Sequence, residues 1–325
     1  MNNTTARARR VVVLGTGGTI SGRASSADDN IGYTAGEVDV ADLLGDIEPP
    51  AGIELVAEQV AQVDSKDMDA AIWRTLALRC AHWLAEADVA GIVITHGTDT
   101  LEETAYFLQA VLAPAKPIVL TCAMRPASAL SPDGPQNVRD AIAVASTPGA
   151  SGVTAACAGT VHSAFDVQKV HTYRLDAFSS GDAGPVGYVE EGAVRSVRNW
   201  PVAPVDSAQP AIKTIANDLA WPRVEIVLSH AGASGAIVDA LQAQGDPLRG
   251  LVLATTGNGT VHHSLEAAAL RAQAAGVTVL RATRCAEGRI LPKAGDALPD
   301  AGALTPVKAR IALTLRLLAE ATVAR

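Results

Sequence analysis

Short runs of branched apolar residues alternate along the chain with amphipathic stretches, and this alternation restricts the possible folds more than any other feature. Val11 to Leu14 and Gly91 to Thr95 are apolar without interruption, which predicts strands buried on both faces. Ile118 to Thr121 and Val153 to Ala158 read as further strands. Between them, Met68, Ile72, Leu76, Cys80 and Leu84 recur every four positions, the spacing of one helix face, with Ser65 or Asp64 as its cap. Leu101 to Leu112 reads as a second helix opened by Thr100 and Glu103, a Thr-x-x-Glu capping box, and Asn137 to Ser146 as a third. Strand and helix in strict turn predict right-handed βαβ crossovers and a parallel sheet.

At 325 residues the chain is longer than one hydrophobic core usually organises, which predicts two domains. Pro201, Pro204, Pro210 and Pro222 fall in a stretch of little periodicity, read as a linker over residues 201–221. Beyond it, strands at Val224 to Leu228, Leu251 to Ala254 and Val277 to Leu280 alternate with helices near Ser234 to Ala243 and Ser264 to Ala275, and a terminal helix starts at Thr305. The expected architecture is α/β: a doubly wound parallel sheet in an N-terminal domain of residues 1–200, and a smaller parallel α/β C-terminal domain over 222–325. Hydrophobic residues make up 48% of the chain but aromatics only 3%, so Ala, Val, Leu and Ile must fill the interior, as suits sheets packed on helices.

A formal net charge of -8 argues against a nucleic-acid surface, because phosphate binding draws on clustered Lys and Arg. The basic cluster Arg7, Arg9 and Arg10 reads as a solvated tail. No apolar run approaches the ~20 residues that cross a bilayer, and Val11 to Leu14 falls short of the ~7 to 15 apolar residues of a signal peptide. The four cysteines, Cys80, Cys122, Cys157 and Cys285, form no Cys-x-x-Cys pair and read as reduced thiols of a cytoplasmic protein.

Ligands of open parallel sheets collect beyond the carboxyl ends of the strands, and two loops there are unusual. Gly15-Thr16-Gly17-Gly18-Thr19-Ile20 follows the first strand. It starts like a dinucleotide turn but has Ile20 where that fingerprint needs a third glycine, so a tight turn and a reactive loop both stay open. His96-Gly97-Thr98-Asp99-Thr100 sets hydroxyls and a carboxylate at the positive end of a helix, where free amides can meet an oxyanion or merely be capped. A threonine hydroxyl needs a neighbouring group to take its proton, and Lys169 and Tyr33 are the candidates, with Asp99 orienting the lysine in a Thr98-Lys169-Asp99 relay. His96 reads as a packed, hydrogen-bonded residue rather than a base.

Thr16-Gly17-Gly18-Thr19-Ile20 and His96-Gly97-Thr98-Asp99-Thr100-Leu101-Glu102-Glu103-Thr104 resemble the two signature segments of the bacterial-type L-asparaginases. The likeness continues through Ala123-Met124-Arg125-Pro126, Asp133-Gly134-Pro135, Gly257-Asn258-Gly259 and Pro306-Val307-Lys308-Ala309-Arg310. It implies hydrolysis of L-asparagine to L-aspartate and ammonia, with Thr19 forming the acyl intermediate beside Tyr33, on a mobile lid from Ser21 to Gly36. Thr98, Asp99 and Lys169 would form a second triad. Ser65 would bind the substrate α-carboxylate, Asp99 the α-amino group, and Asn258 would come from a neighbouring subunit of a tetramer built as a dimer of dimers. No metal or organic cofactor, nucleic acid or membrane enters this scheme.

Two departures stand out. Lys66 occupies the substrate-binding position after the serine where high-affinity relatives place Gln or Glu, and a cation there does not attract an ammonium. The segment after Arg284 is short, leaving Glu287 and Asp296 as the candidates for an acidic residue lent by a neighbour. The alternatives are a glutaminase or other small-amide hydrolase of the same fold, and a non-catalytic amino-acid-binding module, which would have no need of a nucleophile.

Overall fold

The computed structural model describes residues 8–45, 47–201, 212–216 and 220–323. It divides into two compact units, Met1–Pro204 and Val205–Arg325. Arg7 and most of the expected linker, residues 202–211 and 217–219, lie outside the described residues. Within that stretch Ile212–Ala216 forms a short helix, α5, with Ile215 buried, so the proline-rich segment is not structureless throughout.

The first unit runs β1 (Arg9–Gly17), β2 (Arg23–Ala24), β3 (Tyr33–Thr34), α1 (Val40–Leu44), β4 (Ile53–Val63), α2 (Ala70–Ala85), β5 (Val89–Thr95), α3 (Leu101–Leu112), β6 (Ile118–Thr121), α4 (Gly134–Ser146), β7 (Val153–Cys157), β8 (Thr160–Ser163), β9 (Gln168–Lys169), β10 (Phe178–Ser179), β11 (Gly187–Glu190) and β12 (Ala193–Ser196). Its main sheet has eight strands in the order β12-β11-β8-β7-β6-β5-β1-β4. From β4 to β7 the neighbours are parallel, as expected of a doubly wound fold. Val11, Val13, Val93 and Val119 join Val40 of α1 and Val138, Ile142 and Val144 of α4 in one buried cluster. Val12, Leu14, Ile92 and Ile94 alternate with them and are equally buried, so by strand periodicity they face the opposite layer, where α2 and α3 pack on the sheet.

Several local readings change. Past β7 the chain reverses at Ala158 and Gly159, both at positive φ, and β8, β11 and β12 add an antiparallel margin. The edge strand β4 has no counterpart in the sequence reading: it carries Glu54, Glu58, Gln59 and Gln62 on a half-buried ladder, so neither a continuous apolar run nor clean alternation marks it. Glu58 nonetheless anchors α2, accepting from Arg79 Nη2 at 2.8 Å and Trp83 Nε1 at 2.8 Å. Helix α2 is capped by Asp69, which accepts from Ile72 N at 2.8 Å. Asp64 caps a separate 3-10 turn at Ser65–Asp67, because extended backbone at Met68 and Asp69 interrupts the helix. The capping box at Thr100 does not form; its hydroxyl donates instead to Ser65 O at 2.7 Å.

The second unit contains α5, β13 (Arg223–Leu228), α6 (Ala236–Gln242), β14 (Leu248–Thr255), α7 (His263–Ala274), β15 (Thr278–Thr283) and α8 (Pro306–Val323). Its three strands are parallel, in the order β13-β14-β15. Leu251 and Leu253 pack with Val238 of α6 and Leu265 and Ala268 of α7, while Val252 between them packs with Ala309 and Leu313 of α8.

In the first unit, two loops leave the carboxyl ends of the neighbouring strands β1 and β5. Thr16 Oγ1 donates to Thr95 O at 2.9 Å and ties the strand ends together. Beyond them Gly17 and Gly18 take φ of 99° and 85°, and a Cβ on Gly18 would collide with the Gly97 backbone. His96 is fully buried beneath this contact. Its Nδ1 lies 2.7 Å from Gly97 O and its Nε2 lies 2.9 Å from Thr104 Oγ1, which also accepts from Trp73 Nε1 at 2.9 Å. One tautomer satisfies the whole chain: Nδ1–H donates to Gly97 O, and the Thr104 hydroxyl donates to Nε2.

Burial pushes the His96 imidazole down to about 4, although the Gly97 carbonyl opposes that shift. An unfolded chain would protonate it near ~6.5. Its contribution to stability is therefore complete above that pH and is lost as pH falls toward 4, amounting to about 2 kcal/mol by pH 5. Urea midpoints at pH 7.5 and 5 should show this loss in the native chain and a smaller one in His96→Gln. Gly18→Ala, which meets both the positive φ and the Gly97 backbone, should destabilise the fold by about 2 kcal/mol or more in the same assay. An unchanged midpoint would mean that the two loops can part freely.

Candidate active site

Thr19 opens a single 3-10 turn just beyond the two glycines and is 6% exposed. Its Oγ1 lies 2.6 Å from the Tyr33 hydroxyl. Tyr33 arrives on the β2–β3 hairpin, near the end of the segment read as a lid, where it pairs with Ala24. The segment is folded down onto its surroundings by main-chain bonds: Gly36 N donates to Gly18 O at 3.3 Å, Ala127 N to Gly22 O at 2.9 Å, and Leu130 N to Ala27 O at 3.0 Å.

A second cluster forms on the β5–α3 loop. Lys169, on β9, donates from Nζ to Thr98 Oγ1 at 2.8 Å and to Asp99 Oδ1 at 2.7 Å. Thr98 is 7% exposed, whereas the Asp99 side chain is 53% exposed, so the relay runs from a buried hydroxyl out to a solvated carboxylate. The Gly18–Gly97 contact brings this cluster to Thr19, because Thr19 and Thr98 each follow one of those glycines in the chain.

Ser65, also buried, supports the loop from below. Its Oγ accepts from Asp99 N at 3.2 Å, which leaves its own proton to donate to an acceptor such as a carboxylate. That bond also occupies the Asp99 amide, one of those expected to meet an oxyanion. Lys66 turns outward, its side chain 61% exposed, paired with Asp64 and lying 3.5 Å from Asp67. Asp64, the largest influence, raises its ammonium above the ordinary lysine range. The structure therefore does not gather Lys66 with the threonines.

Asn258 lies in the second unit, on an exposed turn after β14. Its side chain donates to Leu291 O at 2.9 Å and accepts from Leu291 N at 2.7 Å. Of the two acidic candidates, Glu287 is exposed, whereas Asp296 lies 2.9 Å from Arg281 in an ion pair that holds its carboxyl below the usual range. Among the described residues, no group of three or more His, Cys, Asp or Glu is placed to hold a metal ion.

Two contributors were not read as site residues. Asp133 precedes α4 but makes no side-chain cap; its carboxylate accepts from Met124 N at 2.9 Å, Arg125 N at 3.0 Å and Asn137 Nδ2 at 3.3 Å, and so shapes the loop that meets the segment at residues 21–36. Ser128 on that loop accepts from Ala24 N at 2.8 Å. Asp133-Gly134-Pro135 entered the sequence reading only through the family likeness, the helix being read from Asn137, and nothing local shows that the carboxylate turns back toward Met124. Ser128 carries no sequence signal at all.

The chain matches two family descriptions: "Asparaginase, N-terminal" over residues 10–202 and "Glutaminase/Asparaginase C-terminal domain" over residues 223–324. It is 36% identical to L-asparaginase 2 of Bacillus subtilis (strain 168) over 94% of this chain and 81% of that protein. It is also 36% identical to L-asparaginase 2 of Escherichia coli (strain K12), over 94% and 88%, and to a glutaminase-asparaginase of Pseudomonas fluorescens biotype A, over 93% and 84%. The crystal structure of a probable cytoplasmic L-asparaginase from Campylobacter jejuni superposes with a TM-score of 0.87 at 34% identity, covering 95% of each chain. Matched in sequence along both units and in structure over nearly its full length, the chain belongs to the asparaginase family of amidohydrolases.

Proposed function

We propose that this enzyme hydrolyses L-asparagine to L-aspartate and ammonia, with Thr19 as the nucleophile. The observation that carries the reading is the 2.6 Å contact between the buried Thr19 Oγ1 and the half-buried Tyr33 hydroxyl. Thr19 Oγ1 attacks the side-chain amide carbon, and its proton passes by way of the tyrosine. Amides of the β5–α3 loop other than that of Asp99 meet the developing oxyanion, where one such donor is worth about a hundred- to a thousandfold in rate. Ammonia leaves, and water then cleaves the Thr19 ester. Lys169, held between Thr98 and Asp99, moves a proton to and from Thr98 during that second step.

The Ser65 hydroxyl would hold the α-carboxylate, and Asp99, half in solvent and with one oxygen committed to Lys169, would accept from the α-amino group. Asn258 would complete the pocket from a neighbouring subunit of a tetramer. A cytoplasmic setting is supported by the likeness to the probable cytoplasmic L-asparaginase from Campylobacter jejuni. Glutamine is the second substrate to consider, because a relative at 36% identity is a glutaminase-asparaginase. One methylene separates the two substrates, a difference that a pocket discriminates by only ~1 to 3 kcal/mol.

Ammonia release from L-asparagine and L-glutamine tests the assignment. Thr19→Ala should lose about a thousandfold or more of the turnover. If Thr19→Ala keeps its turnover while Thr98→Ala loses it, the nucleophile is Thr98. Lys66→Gln, which alters only a solvated cation and its acidic neighbours, should change kcat/KM by no more than about twofold. A tenfold gain would place Lys66 in the substrate's field after all.

A further inference from the structure

Beneath the site, two thiols that the proposed mechanism does not use face each other. Cys122 follows β6 and Cys157 ends β7, and the parallel register that pairs Leu120 with Ala155 continues to set the two cysteines opposite one another. Both are buried and free, and their Sγ atoms lie 3.3 Å apart. Adjacent strands run ~4.8 Å apart, within the ~4.4–6.8 Å Cα span that a disulfide bridges, so a bond needs little more than closure of the sulfur gap to ~2.05 Å.

That closure falls at a sensitive place. Asn137 ties both strand ends, donating to Cys122 O at 2.9 Å and accepting from Ala158 N at 3.0 Å. The chain runs from Cys122 directly into Met124 and Arg125, whose amides sit on Asp133, and on into the loop that meets the lid through Ala127, Ser128 and Leu130. Lys169 lies near enough to influence the Cys122 thiol, which the facing Cys157 sulfur and burial hold well above the ordinary thiol range.

We propose that Cys122 and Cys157 are a modification site, closing to a reversible disulfide under peroxide and thereby turning down amide hydrolysis. The second half of this proposal rests on the asparaginase reading. One thiol, as its thiolate, attacks a peroxide oxygen and breaks the O–O bond, becoming a sulfenic acid as the other oxygen leaves as water. The second sulfur then attacks the sulfenic sulfur and expels its oxygen as a second water, so two thiols lose two hydrogens and the peroxide is reduced to water. The sulfurs approach by about an ångström, shared between side-chain rotation and the strand ends that Asn137 ties, and a displacement of up to that size carried into an active-site loop costs up to about a hundredfold in rate.

Cys285 is exposed, and a hydrogen bond with Thr283 lowers its thiol, so it reacts sooner than the buried pair and is removed for the test. Full-length Cys285→Ser protein is treated with hydrogen peroxide, then digested without reductant for peptide mapping. Ammonia release from L-asparagine is read before treatment, after it, and after dithiothreitol. The expected result is a Cys122–Cys157 cross-linked peptide with turnover reduced about tenfold or more and restored by the dithiol. The further variant Cys157→Ala should keep its turnover under the same treatment. Recovery of both cysteines as free thiols, or a complete cross-link with unchanged turnover, overturns the proposal. Absence of turnover before treatment would fail the asparaginase reading instead, and the peptide map would still decide whether the bond forms.

Discussion

Gly18 and Gly97 pack backbone against backbone: the Gly18 Cα lies only 3.2 Å from where a Cβ on Gly97 would stand, and a Cβ on Gly18 would strike Gly97 itself. Because each glycine directly precedes a threonine, their contact brings Thr19 close to Thr98. The segment that carries Tyr33 to Thr19 is bonded to Gly18 through Gly36 N, and Lys169 meets Thr98 on the loop to which Gly97 belongs. A side chain on Gly18 would push the two loops apart, and one on Gly97 would strike Ser65 before it met Gly18.

Such a contact needs rigid support, and buried polar wiring supplies it. His96, Thr104 and Trp73 form one donor-to-acceptor chain that ends on the Gly97 carbonyl, and Ser65 holds the same loop through Asp99 and Thr100. Buried hydrogen bonds of this kind are costly to leave unmade, which gives the loop one arrangement rather than several. The helix α3 gives up its side-chain cap in the process: the Thr100 hydroxyl serves Ser65, a local loss that ties the start of the helix to the Ser65 turn.

The antiparallel margin serves the site in another way. The chain reverses after β7 and returns through β8 to β9, which delivers Lys169 to Thr98 and Asp99 from 70 or so residues away along the sequence. The same strand ends carry the paired thiols of Cys122 and Cys157, so the lysine, the loop that seats the lid and the dithiol share one small region of the first unit.

The sequence by itself determined the central strands, the helices α2, α3, α4, α6, α7 and α8, the two-unit plan and the two loops rich in glycine and hydroxyls. Each of these rests on local information: an unbroken apolar run, a four-residue period, or glycines and hydroxyls at the carboxyl end of a strand. Residues whose role depends on distant partners were less legible. The edge strand β4 mixes Glu54, Glu58, Gln59 and Gln62 with apolar residues out of any strict alternation, and only one of its margins is paired. The Asp133 carboxylate and the Ser128 hydroxyl act on backbone groups that the fold brings to them, and Asp69 displaced Asp64 and Ser65 as the cap of α2 because those two were already engaged in their own turn. Only the tertiary structure decided that Lys66 points to solvent with Asp64, since a side chain's direction follows from packing and from its neighbours' charges rather than from its place in a motif.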